Sequence, residues 1–587
     1  MLNFLKSILK SVFVTIITFF IIILVLVAIG VSSSSSDKEV EVKDNSILEI
    51  TLNETIVDRG SEFDFDFKSI LNDENTFGLN EILKTIEKAK YDDRISGIYL
   101  NVEMPATSPA TTSEIRNKLE EFRDSTDKFV IAYSEVYSQR AYYLSSVADE
   151  IYLHPEGIME LKGLSYEGMF FKGSLEKLEV EPQIIRHGKF KSAIEPFILE
   201  KMSDENREQI NRFLFSIWDN MKADISNAQN ISSDELNAIA ENLSVQSPKD
   251  AVLNGLADAL LFEDQVNDTL RKKMMIGEDD KINKISLKKY SQVSVKTANK
   301  KYSKDRIAVI YAQGEIRSGE GENLTIGSVT TSEAIKNARE NDKIKAIVLR
   351  VNSPGGSALA SETILREMEL AKKSKPVVVS MGDVAASGGY YISCKADTIV
   401  ANPTTITGSI GVFGMLLNLE KMMENKLGIT TDRVKTNQYA DLGSPTRALT
   451  TSERDIIQNQ VERIYDTFIT NVSEGRNMTK AEVDAIGQGR VWTGEDAKEL
   501  GLVDVLGGLE DAIEIAADMA NLENYRISNF PKLKNPIEEI FEDLGAQVTT
   551  SLVKKELGES YKYYQQLDNL KSRENIQMRM PMQFEIY

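Results

Sequence analysis

The chain has 587 residues, 42% of them hydrophobic and 27% charged, which suits several globular domains and excludes a disordered chain. Its net charge of −21 speaks against nucleic acid as a partner, because a phosphate-binding surface needs concentrated lysine and arginine. Cys394 is the only cysteine, so no intrachain disulfide can form and a cysteine-based metal site lacks ligands; His154 and His187 are the only histidines.

In chain order, an uncharged apolar run from Val12 to Val31 follows Lys6 and Lys10. A helix of about 20 residues spans a hydrocarbon core of roughly 30 Å. The preceding lysines hold residues 1–11 in the cytoplasm and send the rest of the chain across the membrane. The run exceeds the usual signal-peptide h-region of about 7–15 residues, so an uncleaved transmembrane anchor over 12–31 is expected. Residues 32–46, rich in serine, follow as a flexible linker. In a cell with two membranes, the body of the protein would then stand in the periplasm.

The remainder is a duplication. Gly97-Ile-Tyr-Leu-Asn-Val-Glu103 returns as Ala346-Ile-Val-Leu-Arg-Val-Asn352, at an offset of 249. Tyr142, Tyr143, Ala148 and Asp149 return as Tyr390, Tyr391, Ala396 and Asp397, at an offset of 248. Gly255-Leu-Ala-Asp258 returns as Gly501-Leu-Val-Asp504. In the second copy, strands are predicted over 307–311, 347–351 and 377–379, with helices over 332–339 and 361–373. Alternation at this spacing gives βαβ units and a mostly parallel sheet covered by helices, an α/β fold. The predicted layout is a first domain over 47–280, a Lys-rich linker over 281–304, a second domain over 305–525 and a helical extension with a tail over 526–587. In that tail, Met578, Met580, Met582 and Phe584 are expected to pack on a neighbouring domain or subunit, and Pro581 opposes a continuous helix.

One stretch stands out, Pro376-Val-Val-Val-Ser-Met-Gly-Asp-Val-Ala-Ala-Ser-Gly-Gly-Tyr-Tyr391. It reads as a buried strand broken by Gly382, then small residues, then Ser387 with Gly388 and Gly389 at the start of a helix. A serine there is exposed to free backbone N–H groups that favour developing negative charge. A glycine-rich turn with an ordinary cap serine fits the same residues. The two copies diverge at this point: Gln139 stands opposite Ser387, and Ala106-Thr107 opposite Gly355-Gly356. The first copy carries instead His187-Gly-Lys-Phe-Lys-Ser-Ala-Ile-Glu-Pro-Phe197, in which Lys191 stands opposite Ala440. One copy has a serine and the other a lysine, which suggests a composite site.

A serine nucleophile needs a base. His187 and Lys191 both qualify by position, and a lysine does so only if burial lowers its pKa by several units. Phe190, Ala193, Ile194 and Phe197 give Lys191 suitable neighbours, whereas Arg186 and Lys189 read as surface charges. His154, followed by proline at a strand end, reads as a loop cap.

The motifs Gly188–Phe197, Asn352-Ser-Pro-Gly-Gly356, Ala385-Ala-Ser-Gly-Gly-Tyr390, Thr407-Gly-Ser-Ile-Gly-Val412 and Gly489-Arg-Val-Trp-Thr-Gly494 carry a resemblance. In this order, within a duplicated chain, they resemble the signal peptide peptidase A family in its long tandem-domain form, serine proteases of the Clp protease/crotonase-like fold. The resemblance covers nearly the whole chain beyond the anchor. It implies a Ser–Lys dyad with Ser387 as nucleophile and Lys191 as general base. It further implies that Ser409 orients the lysine and that backbone N–H groups of Gly356 and Gly388 form the oxyanion hole, with Gly355 as alternative to Gly356. Ser353 and Ser357 are then turn residues. The implied activity is degradation of cleaved signal peptides and similar apolar peptides by a membrane-anchored homotetramer, without metal or organic cofactor. Two rivals remain at this level: a crotonase-like acyl-CoA enzyme, which leaves Lys191 and Ser387 without a task, and a non-catalytic membrane scaffold.

Overall fold

Two mostly parallel sheets, each covered by helices, repeat the same βαβ winding, and a third sheet joins them. The computed structural model describes residues 18, 40–60, 76–294, 303–321, 324–532 and 576–580. The expected anchor over 12–31 lies outside the described residues apart from Thr18; no helix among the described residues is long and apolar enough to cross a membrane.

The first half contains β1 (Ser46–Ile50), α1 (Leu79–Lys90), β2 (Ile95–Leu100), α2 (Pro109–Ser125), β3 (Phe129–Tyr137), α3 (Gln139–Ser145), β4 (Glu150–Met159), β5 (Glu181–His187), α4 (Asp204–Gln229), β6 (Ala259–Leu260) and β7 (Asn283–Ser286). Its sheet has the order β6-β4-β3-β2-β1-β7, all parallel. Ile47, Leu48, Ile98, Leu100, Ile131 and Ala132 are fully buried on its two faces, as parallel strands between helical layers require. The sheet passes the expected boundary at residue 280. Residues 283–286 of the expected linker form β7, because Ile285 finds an apolar place beside β1.

The second half contains β8 (Arg306–Gln313), β9 (Glu315–Arg317), β10 (Thr325–Gly327), α5 (Ser328–Glu340), β11 (Ile344–Ser353), β12 (Gly355–Ser357), α6 (Ala358–Lys372), β13 (Val377–Ala386), α7 (Gly388–Ser393), β14 (Thr398–Ala401), β15 (Ile406–Gly408), β16 (Val412–Asn418), α8 (Thr451–Arg476), β17 (Val491–Thr493), β18 (Val505–Leu506), α9 (Leu509–Met519) and β19 (Arg526–Phe530). The order β17-β15-β13-β11-β8-β19 forms its sheet, with β14 beside β13 and β18 beside β14. Every pair but β15–β17 is parallel. Residues 526–530, expected in a helical extension, are a strand paired with β8.

Gly382 does not end its strand. β13 runs through it to Ala386, with a register shift against β11 between Val351 and Ser353. A Cβ on Gly382 would stand 3.1 Å from the Asn352 side chain, so glycine fits a bulge there and the strand continues.

The third sheet, β10-β9-β12-β20-β16-β5, mixes both halves and adds β20 (Ile576–Arg579) from the end of the chain. β5 of the first half runs antiparallel to β16 of the second, from Val412 opposite His187 to Asn418 opposite Glu181. A buried ion network fixes the halves further: Arg350 on β11 donates to Asp58 at 2.8 Å and to Glu114 on α2 at 2.6 Å. All three groups are removed from water, so each charge depends on the others for compensation.

Candidate active site

Ser387 sits between β13 and α7 with φ 58° and ψ −114°, a conformation that L residues rarely adopt. Its N–H donates to the Gly408 carbonyl on β15 at 2.8 Å, and its carbonyl accepts from Tyr391 N–H at 2.8 Å. The turn is thus held from both sides, which lets the strain persist.

Beside it lies the glycine turn of β12. A Cβ on Gly388 would come within 3.1 Å of Gly356 N, so the two glycines meet at van der Waals range. The Gly355 N–H is already donated to Ser353 Oγ at 3.1 Å. That leaves the Gly356 N–H, together with that of Gly388, as the pair able to face a developing oxyanion. Ser353 Oγ itself donates to the Gly314 carbonyl at 2.6 Å, and Ser357 Oγ caps α6 by accepting from Ala360 N–H at 3.2 Å. Both serines therefore hold the turn.

Lys191 arrives from the first half. β5 carries the chain along β16, and a turn after His187 delivers Lys191 into the second half, where it is fully buried. Its Nζ lies 2.8 Å from Ser387 Oγ, 3.0 Å from the Ser409 carbonyl oxygen and 3.0 Å from Ser409 Oγ. Burial alone holds the amine well below the ordinary lysine pKa. A neutral amine has two N–H groups and one lone pair. The Ser409 carbonyl can only accept, and Ser409 Oγ donates onward to the Gly489 carbonyl at 3.3 Å. Ser409 therefore takes both N–H groups, and the lone pair faces the Ser387 hydroxyl.

The burial has a source that sequence reasoning missed. Of the four apolar neighbours expected, Phe190 and Ile194 are buried, while Ala193 and Phe197 are half-buried. The tight enclosure comes from the second half. A Cβ on Gly489, which has φ 81°, would lie 2.7 Å from both the N and the Cβ of Lys191, and one on Gly411 would lie 3.2 Å from its Cδ. Only glycine admits so close an approach. Both residues stand in the quoted motifs, but no local signal ties them to a lysine some 220 or more residues earlier.

The other candidates lie elsewhere. His187 Nδ1 pairs with Glu462 at 2.7 Å and its ring stacks on Tyr465 at 3.7 Å, so both contacts turn it toward α8. His154 Nδ1 accepts from Glu156 N–H at 3.1 Å, but His154 lies inside β4 and not at the strand end expected. Arg186 and Lys189 are exposed.

The geometry is that of an acyl-transfer site: a strained hydroxyl, a buried amine whose pKa burial lowers and a glycine-lined anion pocket. Comparison with known proteins agrees. The pattern described as Peptidase family S49 matches residues 122–276 and again 369–523. The chain belongs to peptidase family S49. The Clp protease pattern matches residues 301–405 in addition. Protease 4 of Salmonella typhi is 39% identical over 483 residues, which cover 81% of this chain and 77% of that protein. Protease 4 of Haemophilus influenzae is 37% identical, covering 75% and 73%. The chloroplastic serine protease SPPA of Arabidopsis thaliana is 33% identical, covering 92% and 78%. This S49 protein is accordingly a serine peptidase built from two S49 repeats.

Proposed function

We propose that the protein is a membrane-anchored endopeptidase with a Ser–Lys dyad, which degrades cleaved signal peptides and similar apolar peptides on the periplasmic face of a bacterial inner membrane. The first domain supplies the base and the second the nucleophile. The observation that carries this reading is the 2.8 Å contact between Lys191 Nζ and Ser387 Oγ, both fully buried.

The steps follow from the atoms. Lys191 accepts the Ser387 proton as Oγ attacks a peptide carbonyl. The tetrahedral oxyanion faces the N–H groups of Gly356 and Gly388; losing one such donor typically costs about 10²–10³ in rate. The ammonium of Lys191 returns its proton to the leaving amine. Water, deprotonated by the same amine, then releases the acyl group. Ser409 keeps the lone pair aimed throughout.

The uncharged run over 12–31 supports the anchor. Assembly into a homo-oligomer, a tetramer by family resemblance, has support in the duplication. β5 of the first half pairs with β16 of the second, and the equivalents of this pair are residues 430–436 and 164–170. Neither segment pairs in a sheet among the described residues, and residues 430–436 are exposed throughout. Pairing them between copies repeats one contact head to tail, the arrangement that closes into rings.

The test uses a fluorophosphonate or β-lactone probe and a short apolar fluorogenic peptide on wild type, S387A, K191A and H187A. Labelling and cleavage are expected in wild type and H187A only. Activity that survives K191A and vanishes in H187A would overturn the dyad, and an unlabelled wild type would leave the scaffold reading. Loss of membrane fractionation on replacing residues 12–31 by a cleavable leader tests the anchor.

A further inference from the structure

Strand β20 comes from the far end of the chain, yet it lies in the centre of the third sheet. It is antiparallel to β12 on one side, with Gly355 opposite Arg579, Gly356 opposite Met578 and Ser357 opposite Gln577. On the other side it is antiparallel to β16, with Phe413 opposite Gln577 and Gly414 opposite Ile576. β12 and β16 do not pair with each other; β20 fills a gap one strand wide between them. A gap with two unpaired strand edges is a site for an extended peptide, bound through its main chain.

The register is specific. Met580 N–H donates to the Pro354 carbonyl at 2.6 Å. In antiparallel pairing, hydrogen-bonded pairs alternate, so the next such pair is Gly356 with Met578. This directs the Gly356 N–H at the Met578 carbonyl. A Cβ on Gly355 would lie 2.2 Å from that carbonyl oxygen and 2.6 Å from Gly388 N, so Met578 O and Gly388 N both border Gly355. The N–H groups of Gly356 and Gly388 are the two donors assigned to the oxyanion hole. The side chains are seated as well. Met578 is fully buried in an apolar cluster with Ile185, Ile410 and Val412. Met580 joins Ile210, Phe213 and Ile406, and between them Arg579 meets Glu315 at 3.0 Å.

We propose that Gln577–Met580 is an intramolecular pseudosubstrate, a peptide strand of the chain itself held across the active site with the Met578 carbonyl at the oxyanion donors. The inference rests on the dyad reading of the site. A substrate enters only when β20 leaves, and the segment also defines what the groove accepts: an extended peptide with apolar side chains at alternate positions and a basic residue between them.

The experiment compares full-length wild type with R579E, with M578D/M580D and with the charge swap E315R/R579E. Readouts are KM and kcat for a fluorogenic apolar peptide, and the second-order rate of Ser387 labelling by a fluorophosphonate. R579E and M578D/M580D are expected to lower KM and speed labelling by about tenfold with kcat little changed, the mark of a removed competitor. The swap should return both readouts toward wild type. A synthetic peptide of residues 574–582 should inhibit R579E competitively. Unchanged KM and labelling in both R579E and M578D/M580D would overturn the proposal, as would failure of the peptide to compete. Absence of any labelling in wild type and in every variant would instead strike at the dyad.

Discussion

The two copies of the strand-to-helix junction have the same backbone plan and different chemistry. In the second, Ser387 adopts φ 58° beside a glycine turn and a buried amine. In the first, Ser138 has φ −60° and caps α3 by accepting from Ala141 N–H. Gln139, opposite Ser387, accepts the N–H groups of Lys162 and Gly163 at 2.9 Å each. Leu161 stands where the second half has Ser409, and Thr107, opposite Gly356, shares a 2.5 Å hydroxyl contact with Thr112. The first junction is satisfied by its own residues and needs no strain. The second keeps a strained turn because β15, α7 and the lysine over-determine it. A fold repeated twice thus yields one site, because the first copy contributes the β5–Lys191 segment to the second.

The largest effect that tests this contrast is loss of the dyad. S387A and K191A should each lower kcat by about 10⁴ or more. K191R should fare no better, since a guanidinium cannot become neutral. The double variant S387A/Q139S should stay inactive, because the first junction lacks the amine and the glycine turn; recovered turnover there would break the contrast.

Next comes the joint between the halves. R350A or E114A removes one member of the buried network with Asp58 and leaves uncompensated charge. Each should cost about 3–5 kcal/mol of stability, read as a lowered denaturant midpoint. Because the site straddles the joint, activity should fall at denaturant concentrations below those that unfold either half.

S409A should act more mildly. It removes the hydroxyl acceptor of Lys191 and leaves the carbonyl, so kcat should fall about 10–100-fold, equivalent to roughly 1.5–3 kcal/mol, with KM little changed. The pH profile sharpens the same point. In the proposed dyad Lys191 works as a neutral amine, and burial pulls its pKa down, so kcat/KM should rise with pH through a value well below that of ordinary lysine and then level off. Folding is linked in the same direction. A depressed folded pKa gives a contribution to stability that is full above the unfolded lysine pKa and falls as pH drops toward the folded one. K191M should therefore lose less stability than wild type between alkaline and neutral pH. The smallest effect is expected for H187A, which should retain activity within about threefold because its partners are Glu462 and Tyr465. A shift of the rising limb in H187A would transfer the base to the histidine.

Much of the fold was legible in the sequence. The strands over 307–311, 347–351 and 377–379 lie inside β8, β11 and β13, the helix over 332–339 lies inside α5, and that over 361–373 falls in α6 but for Lys373, its C-cap, because apolar periodicity reports burial locally. The errors fall where a distant partner decides. Gly382 looked like a breaker, but β11 accepts a bulge there. Residues 283–286 and 526–530 looked like linker and helical extension, but each finds a sheet edge.

The same division runs through the site. The duplication, the serine at the junction, the lysine on the other copy and the motifs that tie both to a peptidase family are all readable without a structure, because residue identity and spacing are written along the chain. Tertiary structure alone decided that Gly489 and Gly411 bury Lys191, that Ser409 satisfies both its N–H groups, that Ser353 occupies the Gly355 N–H, and that a strand from residues 576–579 fills the groove. Desolvation and hydrogen-bond direction depend on what comes within a few ångströms in space, and here those neighbours come from hundreds of residues away.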